Sequence, residues 1–181
     1  MLQINVSQLL KSPIGSTRNY ELDEVIEGDG SNYRVYGKVN LTSISRSILV
    51  RGTLHTEIVV TCSRCLNLFS YPLTLTIEEE YFPTIDVVSG MPLPLSDGPG
   101  CFTIDAHHIL DLTEAIQQYV IMLIPMKPLC HEDCSGLCPT CGHNLNEGLC
   151  GCPPQEIDDR WAELKKLMAV RQPAKRRKET E

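Results

Sequence analysis

Eight of the nine cysteines fall in four close pairs: Cys62 with Cys65, Cys130 with Cys134, Cys138 with Cys141, and Cys150 with Cys152. Pairing of this kind restricts a chain to a disulfide scaffold, a redox centre or a metal site. A disulfide scaffold would want an export signal and usually a shorter chain than these 181 residues. Residues 1–15 show no basic region followed by an apolar stretch. No apolar run reaches the roughly 18 residues that a membrane span needs. We therefore expect a cytoplasmic protein without membrane contact, in which clustered thiols bind metal.

The densest cluster is Cys138-Pro139-Thr140-Cys141-Gly142, followed by Cys150-Gly151-Cys152. A CxxC turn puts two sulfurs on one side of a tight loop, and Gly142 suits the backbone such a knuckle favours. Four thiolates about 2.3 Å from one ion form a closed structural zinc site. Cys62-Ser63-Arg64-Cys65 lies at a hairpin tip and cannot close a site alone. Cys130 and Cys134 remain to complete it, which leaves Cys101 as a small buried or partly buried hydrophobe. The expectation is two Zn2+ ions, one of them bridging distant parts of the chain. Three alternatives stay open: a free redox dithiol at Cys62 and Cys65, substitution of one thiolate by His131 or His143, and an iron–sulfur cluster. A catalytic zinc is not expected, because four thiolates leave no open position.

Period-2 alternation marks three strands. Tyr33, Val35, Val39 and Leu41 alternate with polar residues, as do Ile48, Val50, Leu54, Ile58 and Val60, and then Phe69, Tyr71, Leu73, Leu75 and Ile77. Short polar links fit an antiparallel meander with one wet face. Pro72 makes the third strand an edge at that point. Residues 91–100, rich in Pro and Gly, read as a loop, with a short strand over 101–105 after it. Asp111, with Glu114 three residues on, predicts the start of a helix. Its apolar stripe is Leu112, Ala115, Ile116, Tyr119, Val120, Leu123 and Ile124, and Pro125 ends it. A second helix is expected over 158–170, with Ile157, Trp161, Leu164 and Met168 on one side. The class is α+β: an antiparallel β-meander covered by a helix, with a cysteine-rich zinc-knuckle segment and a C-terminal helix. Residues 1–127 form the sheet-plus-helix core, 128–170 the knuckle segment and terminal helix packed on it, and 171–181 a disordered basic tail.

Net charge is −7. Eight thiolates add eight negative charges and two zinc ions return four positive ones, taking −7 to −11. A body this acidic does not bind nucleic acid by bulk charge. Local RNA contact would fall to Lys175, Arg176, Arg177 and Lys178. No phosphate-binding loop, dinucleotide fingerprint, HExxH or GxSxG motif is present, so neither catalysis nor a small-molecule substrate is expected. His107-His108 and Asp158-Asp159 read as boundary and helix-start features.

Several stretches, in order, carry a family resemblance: Val60-Thr-Cys-Ser-Arg-Cys65, Ile109-Leu-Asp-Leu-Thr-Glu114, Ile124-Pro-Met-Lys-Pro-Leu-Cys130, Cys134-Ser-Gly-Leu-Cys-Pro-Thr-Cys-Gly142, Asn144-Leu-Asn-Glu-Gly148 and Asp159-Arg-Trp-Ala-Glu-Leu-Lys-Lys166. Over roughly residues 1–170 the chain resembles the YceD family, the large ribosomal RNA subunit accumulation proteins, in its more cysteine-rich branch. The resemblance implies a role in accumulating large-subunit ribosomal RNA and in building the large ribosomal subunit. It carries no catalytic residues. The partners it implies are a large-subunit precursor, ribosomal RNA or a basic ribosomal protein. A thiol–zinc redox switch is the alternative, and a hydrolase or nuclease acting on ribosomal RNA ranks below it.

Overall fold

The computed structural model describes residues 2–28, 32–94 and 100–153. The helix expected over 158–170 and the basic cluster Lys175 to Lys178 lie outside the described residues. Among the described residues the elements in order are β1 (Gln3–Asn5), α1 (Ser7–Leu10), β2 (Thr17–Glu27), β3 (Asn32–Ser43), β4 (Ile48–Thr61), β5 (Leu68–Pro83), β6 (Phe102–Ile104), β7 (Ile109–Asp111) and α2 (Thr113–Leu123). The described strands form one sheet in the order β1-β7-β6-β5-β4-β3-β2.

From β2 to β5 each strand pairs antiparallel with the next. The sheet as a whole is mixed, because β5 and β6 run parallel. The physical reason is the connection. A hairpin turn would force antiparallel pairing, whereas the connection between Pro83 and Phe102 is long enough to allow β6 to start in the same direction. β5 takes this second neighbour only at Tyr81, Phe82 and Pro83, so at Pro72, which stands opposite Glu57 of β4, the other side of β5 has no strand among the described residues.

The alternating residues of β3, β4 and β5 form the core, with Val35, Val39, Leu41, Ile48, Val50, Leu54, Leu75 and Ile77 almost wholly buried. Each such Leu or Ile contributes roughly 1.5–3 kcal/mol by leaving water. The outer face stays wet and carries the cross-strand pairs Asp23–Arg34, Glu21–Lys38 and Glu78–Arg51. Gly37 and Gly52 stand at inward positions of neighbouring strands. A Cβ on Gly37 would meet the Thr53 carbonyl oxygen, and one on Gly52 the Lys38 carbonyl and Val39. Only glycine lets the two backbones come this close, and such positions mark a tight bend in a sheet.

α2 buries Ala115, Ile116 and Val120 in the same core as the strands. Tyr119 donates its hydroxyl to Glu79 Oε1 at 2.9 Å and accepts the Glu78 N–H, pinning the helix to β5. Two details differ from expectation. Asp111 ends β7, and its carboxylate accepts the Thr113 N–H from there, while Leu112 holds the cap position without a side-chain bond. Leu123, expected on the apolar stripe, is exposed. The helix stops at Ile124, whose extended backbone suits a residue before proline.

Cys101 is exposed, contrary to its reading as a buried or partly buried hydrophobe. It precedes β6 on the parity opposite to Phe102 and Ile104, which turn inward, so its side chain points out. The described residues divide into two compact units, the first ending at Gly136 and the second beginning at Leu137. Residues 128–136 thus share a unit with the sheet.

Candidate metal centres

Each CxxC pair sits on the same local turn. At the tip of the β4–β5 hairpin, Leu66 donates its N–H to the Cys62 carbonyl at 3.0 Å, and Cys62 donates to the Asn67 carbonyl at 2.9 Å. In the second unit Gly142 donates to the Cys138 carbonyl at 2.9 Å, and Cys138 donates to the His143 carbonyl at 2.8 Å. Both fifth residues have left-handed backbone, φ 60° at Leu66 and 74° at Gly142. The turn frees the N–H groups after the first cysteine to point at its sulfur, as Arg64 does toward Cys62 Sγ at 3.5 Å.

Partners reach the first knuckle by way of the segment after α2. Ser63 donates to the Pro128 carbonyl at 2.8 Å, and the Arg64 guanidinium donates to the Cys134 carbonyl at 2.9 Å. Cys130 donates its N–H to Cys62 Sγ at 3.5 Å. The four sulfurs of Cys62, Cys65, Cys130 and Cys134 then lie within 4.8 Å of one another. Cys62 and Cys134 Sγ are 3.8 Å apart, and Cys65 and Cys130 Sγ 3.7 Å. Four sulfurs about 2.3 Å from a shared ion in a tetrahedron stand about 3.8 Å apart, so these two spacings are compatible with a zinc ion between them. Cys62, Cys65 and Cys134 are buried.

In the second unit Cys138, Cys141, Cys150 and Cys152 also lie within 4.8 Å of one another. Asn144 shapes the return of the chain: Leu137 and Asn144 bridge, and Asn144 Oδ1 accepts the Asn146 N–H. Cys138 is buried here, whereas Cys141 is exposed.

The thiol electrostatics suit a cation in both places. The Cys65 N–H, then those of Arg64 and Cys130, pull Cys62 down to about 5. Burial, then the thiols of Cys134, Cys65 and Cys62, pushes Cys130 up to about 12. Likewise the N–H groups of Cys141 and Thr140 lower Cys138 to about 6, while Cys141, burial and Cys150 raise Cys152 to about 12. Each cluster ionises its first thiol readily and resists losing its last proton. A divalent cation at the centre removes that resistance.

The eight cysteines expected as ligands are therefore gathered four and four, and Cys101 belongs to neither set. His131 Nδ1 lies 3.1 Å from Cys130 Sγ, but neither His131 nor His143 joins a cluster. Sequence reasoning missed Arg64 as the clamp on the post-helix segment. It also missed Leu66 in a glycine-like position, although aligning Cys62-Ser-Arg-Cys-Leu66 with Cys138-Pro-Thr-Cys-Gly142 would have exposed it.

Residues 50–168 match the family described as large ribosomal RNA subunit accumulation protein YceD, a span that includes all eight clustered cysteines. An uncharacterized protein of Mycobacterium tuberculosis is 29% identical over 142 residues, covering 72% of this chain and 60% of the relative. One from Mycobacterium leprae is 30% identical over 144 residues, covering 72% of this chain and 58% of its own length. The chain thus spans about three fifths of the curated relatives it matches. No solved structure matches it significantly.

Proposed function

The chain belongs to the YceD family of large ribosomal RNA subunit accumulation proteins, and from that premise we propose that it is a zinc-stabilised, non-enzymatic factor in large ribosomal subunit biogenesis, working in the cytoplasm. Bound zinc supplies folding free energy at both clusters, because closed four-thiolate sites offer no position for substrate. The observation that carries this reading is the pair of four-sulfur clusters, each with its sulfurs within 4.8 Å of one another, inside the family-matched span. At the first cradle the ion ties the β4–β5 tip to the segment after α2 and stiffens a platform for a partner. The acidic body favours a basic ribosomal protein over naked RNA, since opposite charge speeds encounter.

The test is sedimentation of the tagged protein from lysate through a sucrose gradient at low and moderate salt. Co-migration with large-subunit precursors, lost on Cys62→Ser or Cys138→Ser, supports the reading. Migration only at the top of the gradient at both salts contradicts direct particle binding. A second reading, a thiol–zinc redox switch, draws on the exposure of Cys141. It requires zinc loss at physiological peroxide levels.

A further inference from the structure

Between the first turns of α2 and the start of β6 lies a cavity of about 360 Å³, within the roughly 300–1,000 Å³ of small-molecule pockets. Tyr81 lines it while only 1% exposed, and its hydroxyl is buried with no hydrogen-bond partner among the described residues. A buried phenol left this way costs free energy until a ligand group or water bonds it. The Phe102 ring stacks on Tyr81 with centroids 5.2 Å apart and adds an apolar wall.

What the cavity still offers is acceptors. Asp111 and Glu114 line it, and no Lys, Arg or His does among the described residues. Gln117 turns its amide nitrogen to the Glu27 carbonyl at 2.9 Å, and Gln118 turns its own to Glu114 Oε1 at 3.4 Å. Both amide oxygens stay available. Burial alone would raise Asp111, but bonds from Thr113 and Gln3, and more weakly the chain's amino terminus, hold its carboxyl below the usual range. Burial, then the charges of Glu79, Asp111 and Glu114, pushes the Tyr81 phenol up. The field at Tyr81 is therefore negative, and no ion pair among the described residues balances Asp111 or Glu114.

Such a site suits a cation that donates hydrogen bonds. Asp111 and Glu114 join no cluster of three metal-ligating groups among the described residues, so a divalent cation would lack convergent protein oxygens. An ammonium needs only spread acceptors and an aromatic face, which attracts it through the ring quadrupole. We propose that this cavity binds a small free aliphatic amine, with its ammonium on Asp111, Glu114 and the Tyr81 hydroxyl oxygen and its methylenes against Phe102. The inference does not depend on the assembly reading.

The zinc-loaded full chain is titrated with diaminobutane, followed by calorimetry and amide shifts. Separate titrations use butanediol, which keeps the length without the charge, Mg2+, and a lysine blocked at both ends. Diaminobutane is expected to shift the amides of Phe102, Thr113 and Gln117 and to bind at least about tenfold more tightly than the diol. Glu114→Gln should weaken it about tenfold. Glu57→Gln, opposite Pro72 and far along β5 from Tyr81, should leave it within about twofold. Tyr81→Phe should weaken it about threefold or more, yet leave the unfolding midpoint of the amine-free protein unchanged or raised, because an unpaired buried hydroxyl is removed. Equal binding of the diol or of Mg2+ overturns the proposal, as do shifts spread over surface acids instead of the cavity. The blocked lysine binding as tightly as the diamine would assign the site to a protein side chain and overturn the free-amine reading. A Tyr81→Phe variant that unfolds more easily yet binds the diamine as before would give the hydroxyl to the fold and overturn it as well.

Discussion

Leu66 and Gly142 occupy the same place in two copies of one turn. Each donates its N–H to the carbonyl of the cysteine four residues before it, and each holds a left-handed backbone. A side chain in that conformation costs roughly 1–2 kcal/mol, part of which glycine returns as extra chain entropy. Leu66→Gly should therefore stabilise the zinc-loaded protein by about 0.5–1 kcal/mol in denaturant unfolding, since Leu66 is largely exposed and gives up little packing. A Cβ at Gly142 meets nothing within 4 Å. Gly142→Leu should thus cost about 1 kcal/mol through the backbone alone. A stabilising Gly142→Leu or a destabilising Leu66→Gly would contradict the shared geometry.

Gly52→Ala should destabilise the sheet by about 1–3 kcal/mol or more, because the new methyl would press on the Lys38 carbonyl and Val39 rather than on a flexible chain end. Thermal unfolding checks it. An unchanged midpoint would mean that β3 and β4 can separate there without loss.

Arg64→Ala should weaken the first centre and spare the second. The guanidinium holds the Cys134 carbonyl at 2.9 Å, a charged-donor bond worth about 1.5–3 kcal/mol when shielded and less at a part-exposed site. Zinc release to a chromogenic chelator should show one ion leaving several-fold faster than in the wild type and the other leaving at the wild-type rate. Equal acceleration of both would remove Arg64 from this role.

Acid should strip the metal steeply. Cys65 and Cys130 are raised in the first cluster and Cys150 and Cys152 in the second, so each carries at least two protons at neutral pH that zinc must displace. Cys62 and Cys138, lowered to about 5 and about 6, are mostly thiolate there and displace few. Affinity should fall at least about 100-fold per pH unit between pH 8 and 7, two or more protons per ion, and more steeply as pH drops through the lowered values. Competition titrations with a calibrated chelator measure the slope. A slope near zero would mean the thiols are not the ligands.

What the sequence made legible follows from what each position must satisfy alone. Val35, Val50 and Leu75 alternate with polar neighbours because one sheet face is buried, so β3, β4 and β5 could be read directly. β2 hid because it is an edge strand rich in charge, with only Leu22 and Ile26 buried among the polar residues of Thr17–Glu27. The parallel β5–β6 pair and the three-residue strands β1 and β7 depend on where a long loop returns, which local pattern does not encode. The grouping of Cys62 and Cys65 with Cys130 and Cys134 was legible by count, whereas the Arg64 clamp that joins the two segments was not.

The most direct measurement is the zinc content of the intact chain by native mass spectrometry, with Cys62→Ser and Cys138→Ser beside the wild type. The account predicts two zinc ions in the wild type and one in each variant, with Cys101→Ser retaining two. No zinc, or a single ion that survives Cys62→Ser, would contradict it.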